Sequence, residues 1–284
     1  MQTVHTIKEL RQVIQQQRMA GKRIGFVPTM GNLHAGHITL VTEGLKHADF
    51  MVSSVFVNPT QFGAGEDFDT YPRTLEQDQQ KLSDAGCHLL FAPAVDEMYP
   101  GDQDKWAKVS VTEITQRHCG ASREGHFDGV STVVTKLFNI VKPDVALFGK
   151  KDFQQLAVIR RMVTALCFDI DIIGVETVRE ANGLAMSSRN GYLTEQQKQQ
   201  AATLYQCLQQ AKQDIQQGER NFDQITQQAE EKLQQSGFKL EYFSVCRADT
   251  LEPADSQDKN LVILAAARMG QTRLIDNIDF MLAT

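Results

Sequence analysis

The sequence predicts an α/β fold: a doubly wound parallel sheet followed by a smaller α+β domain. Three observations predict it. Short apolar, β-branched runs alternate with helix-patterned segments through roughly the first 180 residues. A turn rich in glycine and histidine directly follows one of those runs. After Tyr192 the composition changes to glutamine-rich helices and then three strand-like runs.

The elements follow in order. Residues 7–20 read as an amphipathic helix, and 22–28 (KRIGFVP) as a buried strand. The glycine turn comes next, then helical character over 37–48 and a second strand over 51–57 (MVSSVFV), stopped by Asn58-Pro59. Strand, turn, helix and strand make a βαβ unit, which favours parallel pairing. The rhythm repeats with a polar-faced helix at 73–85, a short strand at 88–92, a helix at 129–141 stopped before Pro143, a strand at 145–148, a helix at 152–166 and an apolar run at 170–178. Helices then belong on both faces of the sheet. Residues 194–217 and 223–235 read as long helices; Thr194 followed by Gln197 fits a capping box. Strand-like runs at 239–246, 261–266 and 272–280 close the chain. Despite the glutamines, Leu204, Leu208, Ala211 and Ile215 keep a helical spacing, so an ordinary solvated helix is expected. The compositional change puts a domain boundary near 180–190, dividing the chain into 1–184 and 185–284.

Bulk properties exclude several classes. The 284 residues carry a formal net charge of −6, which argues against wide nucleic-acid contact while leaving room for a local anion site. Five scattered cysteines without a Cys-x-x-Cys read as reduced thiols of a cytoplasmic protein. Charged residues among the first dozen leave no signal-peptide core, and the apolar run 261–267 is too short for a bilayer, so no membrane partner is expected.

Two distant segments look built for a triphosphate. In Met30-Gly31-Asn32-Leu33-His34-Ala35-Gly36-His37, the glycines permit a tight turn and close backbone approach. A helix beginning near His37 would offer free N–H groups and its dipole to an anion. His34 and His37, three residues apart, can each donate one hydrogen bond to a phosphoryl oxygen. A His-x-x-His zinc site is the competing assignment, but no third ligand stands nearby in the sequence. In the second segment, Met186-Ser187-Ser188-Arg189 supplies two hydroxyls and a fixed cation for departing pyrophosphate; alone it reads equally as a polar interdomain loop.

Gly149-Lys150-Lys151-Asp152 follows a strand, where ligands of doubly wound sheets bind. A lysine there reaches phosphate, and Asp152 accepts from ribose hydroxyls, caps the next helix, or both. Gln61 follows another strand end, and Gln155 lies one turn beyond Asp152; either is also an ordinary surface glutamine. The acidic stretch Glu66, Asp67, Asp69 reads as a solvated loop more readily than as a Mg2+ aid, and Arg123 and His126 as a pocket edge or a helix cap.

Six segments in one order carry a resemblance: FVPTMGNLHAGH at 26–37, FVNPTQF at 56–62, YPRTLEQD at 71–78, GHFDGVSTVV at 125–134, LFGKKDFQQL at 147–156 and GLAMSSRNGYL at 183–193. Over nearly its whole length the chain resembles the pantothenate synthetase (pantoate–β-alanine ligase) family. The resemblance implies a Rossmann-like, nucleotidyltransferase-type domain, a smaller domain closing over it, and a homodimer. It implies an AMP-forming ligase using ATP, with Mg2+, to join pantoate to β-alanine through pantoyl-adenylate. ATP-binding positions would be Met30 to His37, Gly149 to Asp152, Val178 and Met186 to Arg189, with His37 as proton donor. Gln61 and Gln155 would bind pantoate, and Gln61 also β-alanine. The implied catalytic set is His34, His37, Lys151, Ser187, Ser188 and Arg189; the metal ligands stay unassigned. Ala35, Glu124, Lys150 and Asn182 depart from the family's usual residues, an acid, Pro, Glu or Gln, and Asp. An adenylyltransferase that keeps AMP in its product, a fragment of a class I aminoacyl-tRNA synthetase, and a non-catalytic nucleotide-binding module are the competing readings.

Overall fold

The computed structural model describes residues 1–101 and 106–283. Alternation along buried strands builds its first layer system. In β2 (Ile24–Thr29) and β3 (Phe50–Val55), Phe26 and Val52 enter one core while Val27 and Met51 enter another on the opposite face. The same split recurs in β4 (Leu89–Phe91) and β5 (Val145–Gly149), so the sheet is buried on both sides. With β1 (Gln2–Val4) and β6 (Asp171–Val175) it has six parallel strands in the order β1-β4-β3-β2-β5-β6.

One face is covered by α1 (Ile7–Met19), α6 (His126–Val141) and α7 (Phe153–Ala165), through Leu10, Ile14, Phe138 and Leu156. The other is covered by α2 (Ala35–Gly44) and α3 (Leu75–Asp84), through Leu40, Val41 and Leu82. Two single-turn helices, α4 (Val95–Met98) and α5 (Cys119–Ser122), lie between. The α/β expectation is met. β1 was not anticipated: three residues carry too little pattern to signal a strand, and only their pairing with Leu89, Leu90 and Phe91 of β4 defines it.

Beyond Leu184 a second core forms between α8 (Glu195–Ala201), α9 (Thr203–Gln216), α10 (Phe222–Gln235) and one face of an antiparallel sheet, β7 (Phe238–Arg247), β8 (Asn260–Met269), β9 (Thr272–Met281). Along β8, Leu261, Ile263 and Ala265 face these helices, whereas Val262 and Leu264 pack back onto the first core. The Thr194–Gln197 capping box is present. The single helix expected over 194–217 is two, because the chain breaks at buried Ala202. Both halves keep the same apolar period, so spacing alone does not reveal the break. Among the described residues no helix is long and apolar enough to cross a membrane.

Candidate active site

The sheet order places the site. From β2 the chain proceeds outward to β3 and β4 on one side, and β5 and β6 lie on the other. The reversal between β2 and β5 opens a crevice at their carboxyl ends. Both strands end there in a loop singled out from the sequence.

The first loop is shaped from outside. Thr29 Oγ1 donates to the Ser54 carbonyl at 2.7 Å and accepts from Gly31 N at 3.2 Å. Gly31 and Asn32 both have positive φ, +84° and +50°, which tightens the turn. Asp78, fully buried on α3, accepts from the backbone N–H groups of Asn32 and Leu33, each at 2.8 Å, and from Thr74 Oγ1 at 3.1 Å. Lys81 Nζ donates to the Leu33 carbonyl at 2.7 Å. The carboxylate answers two backbone donors that would otherwise be buried and unpaired.

Helix α2 starts at Ala35, two residues earlier than the turn suggests, and His34 is its N-cap. His34 Nδ1 accepts from Gly36 N at 3.1 Å, and His37 Nδ1 accepts from His34 N at 3.2 Å. With Nδ1 accepting, the proton of each neutral ring sits on Nε2. The rings are 4.1 Å apart. Burial, then the nearby Lys151 charge, pulls His34 down to about 4; burial, then His34, pulls His37 down to about 3. At neutral pH both are uncharged hydrogen-bond donors.

These rings line a cavity of about 220 Å³, which opens beside a cleft of about 670 Å³ through shared residues Lys151, Asp152, Ser187 and Arg189. Met30, Gly36, Gln61, Gly149, Gln155, Val178, Met186 and Ser188 complete the anticipated lining. Gly31, Asn32, Leu33, Ala35 and Lys150 stand outside it. The first four shape the turn or its helix. Lys150 is turned away to Asp279, 2.9 Å from its Nζ, and Glu176. Asp152 makes no side-chain capping bond to α7, so its carboxylate remains available in the cavity and the capping alternative falls away.

Gln61 is aimed by its surroundings. Asn58, 1% exposed, donates through Nδ2 to Gln61 Oε1 at 3.0 Å and to the Gly129 carbonyl at 3.2 Å. Gly129 lets α6 approach closely: a Cβ there would lie 2.3 Å from the Thr60 carbonyl oxygen and 2.7 Å from Gln61 Cα. His126, on the same helix, holds the Gln61 carbonyl through Nδ1 at 2.8 Å.

The distant serine–arginine loop arrives at the same cavity. Ser187 Oγ accepts from Arg189 N at 3.2 Å, and Ser188 Oγ donates to the Asn32 carbonyl at 3.1 Å, tying the two loops together. The acidic stretch is no free loop. Asp67 forms a two-point ion pair with Arg189, at 3.0 and 2.8 Å, and Glu66 another with Arg123, at 2.7 and 2.6 Å. Burial opposes ionisation of Glu66, but the Arg123 bonds and charge outweigh it and hold the carboxyl at about 2. Arg123 also meets His126 Nε2 at 2.9 Å.

No role is assigned from the sequence to Asn58, Tyr71, Asp78, or the apolar wall of Val130, Val133 and Val134. A period of three to four along α6 marks the valines as buried, not as ligand-facing. The segments FVNPTQF, YPRTLEQD and GHFDGVSTVV contain them, and the resemblance those segments carry is the signal that could have found them.

Comparison with known proteins agrees with this geometry. A family model described as Pantoate-beta-alanine ligase matches residues 2–279. The chain is 55% identical over 284 residues to a pantothenate synthetase of Pseudomonas fluorescens Pf-5, covering 100% of this chain and 99% of the relative. The crystal structure of pantothenate synthetase from Thermus thermophilus superposes with a TM-score of 0.92 at 43% identity, covering 98% of this chain and 99% of that one. Pantoate-beta-alanine ligase from Francisella tularensis, solved with beta-gamma ATP and beta-alanine, gives a TM-score of 0.81 at 33% identity, with 98% and 97% covered. Fold, the gathering of both loops at one crevice, and full-length similarity lead to one assignment: this chain belongs to the pantoate-beta-alanine ligase family.

Proposed function

We propose that the chain condenses pantoate with β-alanine at the expense of ATP, releasing AMP and pyrophosphate through a pantoyl-adenylate. Family membership supports the overall reaction. The observation that carries the residue roles is the Ser188–Asn32 hydrogen bond, which brings loops more than 150 residues apart to one cavity with His34, His37 and Lys151.

Pantoate carboxylate attacks the α-phosphorus of ATP, and pyrophosphate leaves. Two anions must approach, so donors and cations have to be in place beforehand. His34 and His37 donate through Nε2–H, Ser187 donates through its hydroxyl, Lys151 and Arg189 supply charge, and Ser188, whose one proton goes to the Asn32 carbonyl, holds the serine–arginine loop against the turn. The α2 N-terminus adds its dipole toward the phosphates. Gln61 and Gln155 hold pantoate, and the valine wall of α6 excludes water from its apolar side. The β-alanine amine then attacks the acyl carbon beside Gln61, forming the amide and releasing AMP.

Mg2+ enters with the triphosphate as part of the substrate. Among the described residues no group of three or more His, Cys, Asp or Glu could hold a metal ion. The uncapped Asp152 carboxylate at the cavity would be the protein oxygen suited to that ion or to the ribose. Residues 185–284 act as a lid over the 1–184 domain, shielding the hydrolysable adenylate. A homodimer in the cytoplasm completes the proposal, checked by sedimentation and by cell fractionation.

The deciding assay is AMP formation from ATP with D-pantoate and β-alanine, each omitted in turn. AMP release dependent on both substrates is expected. A product that retains the AMP group, or turnover without β-alanine, would return the chain to the adenylyltransferase reading.

A further inference from the structure

Two adjacent residues of β9 reach out of their own sheet and touch both halves of the phosphate site. Asn277, 5% exposed, donates through Nδ2 to the Lys150 carbonyl at 2.9 Å and the Lys151 carbonyl at 2.8 Å. Its neighbour Asp276, 4% exposed, takes both ends of the Arg179 guanidinium, at 2.6 and 2.9 Å, and accepts from Asn277 N at 2.8 Å. Arg179 is stacked 3.4 Å from the Tyr205 ring centre and donates onward to the Gly183 carbonyl at 3.1 Å. Arg179 also bridges Ala185, and Met186 N donates to Val178 O at 3.0 Å, so this hairpin leads directly into Ser187-Ser188-Arg189.

The connection is continuous: lysine turn, Asn277, Asp276, Arg179, serine–arginine loop. β9 does not need the Asn277 amide for its own integrity, because the strand is already paired with β8 at Leu264. The amide's two hydrogens go to consecutive carbonyls of a single-turn 3-10 segment, Lys150–Asp152, which has no side-chain cap. A buried donor facing two carbonyls sets the height and tilt of that turn.

We infer that Asn277 is a positioning residue for Lys151: it anchors the turn's backbone to β9, so that the ammonium and the serine–arginine loop keep a fixed spacing across the triphosphate. The inference rests on the phosphate-binding role proposed for Lys151. It makes the β7–β9 sheet part of the nucleotide site without contributing a side chain to the ligand.

A double-mutant cycle on the full chain tests it, read as the dissociation constant of β,γ-methylene-ATP by calorimetry. Asn277→Ala should weaken binding about tenfold. On a Lys151→Ala background the same change should have no further effect, because its consequence passes through Lys151. Asp279→Asn, which touches Lys150 Nζ but neither carbonyl, should leave affinity unchanged. Factors that multiply in the double variant, or an Asn277→Ala protein with wild-type affinity, would overturn the assignment. Should Asn277→Ala fail to fold, Asn277→Asp, of nearly the same size but lacking both donors, is read in the same cycle. Wild-type protein that binds the analogue but does not exchange pyrophosphate with pantoate would instead remove the reaction proposed above and leave the cycle interpretable.

Discussion

The turn after β2 and the serine–arginine loop meet at one cavity, yet they are held in different ways. The turn hangs from a strand buried on both faces, and its backbone is pinned by Asp78, Thr29 and Lys81. The serine–arginine loop has no strand beneath it. It is placed by two contacts between groups distant in sequence, the Asp67 ion pair and the Ser188 hydroxyl, and by the local Arg179 hairpin. A site assembled from one rigid and one adjustable wall suits a reaction that must admit three substrates and then exclude water. The first wall is set by its own strand; the second is set by side-chain contacts, where the closure proposed above would act.

The comparison breaks most visibly at the rigid wall's chemistry. Lys151→Ala or His34→Ala should lower pantoate-dependent pyrophosphate–ATP exchange by about 10²–10³, or about 3–4 kcal/mol, with the fold kept by circular dichroism. Near-normal exchange in both variants would remove their roles.

Asp78→Ala tests the rigid wall's support. It strands two buried backbone N–H groups, so unfolding in urea should show a loss of about 2–4 kcal/mol. A loss below about 1 kcal/mol would mean the turn holds itself.

The first wall and its neighbour His126, which burial, then Arg123, pulls down to about 4, contribute a pH dependence of stability, to which His88 and His118, each held below its ordinary value by desolvation, add in the same direction. The unfolded chain takes up protons near 6.5, whereas the folded imidazoles of His34 and His37 refuse them until about 4 and 3. Between those values the unfolded state binds more protons. Stability is therefore full above 6.5 and declines as pH falls toward 4. His37→Asn should flatten that slope in thermal melts; an unchanged slope would show that other groups cause it.

The smallest effect is expected at the adjustable wall. Ser188→Ala removes one half-buried hydrogen bond to Asn32 and should cost about 1 kcal/mol of stability or less. Its effect on exchange should exceed its effect on stability, since that bond holds the serine–arginine loop against the turn across the triphosphate. Equal effects would place Ser188 in the scaffold alone.

The legible part of the fold was the part with period and punctuation. Strands such as β2 and β5 announce themselves because burial on both faces demands a run of apolar residues. The glycine–histidine turn is legible for a related reason, since positive φ at Gly31 and a helix start at Ala35 are local requirements. β1 was too short to carry a pattern, and the break at Ala202 disturbs none.

Lys150 and Lys151 illustrate where sequence reading stops. They are adjacent and chemically alike, but one faces the cavity and the other pairs with Asp279 and Glu176. Likewise, Glu66 and Asp67 read as solvated acids, yet each is committed to a different arginine. Order along the chain determined the parallel sheet and the kinds of group available at its strand ends, because those follow from local propensity and hydrophobic period. The tertiary structure alone decided which charges are free, which imidazole nitrogen bears the proton, and that β9 reaches the lysine turn. Those depend on burial and on partners more than a hundred residues away, and pairing over such distances leaves no local periodicity to read.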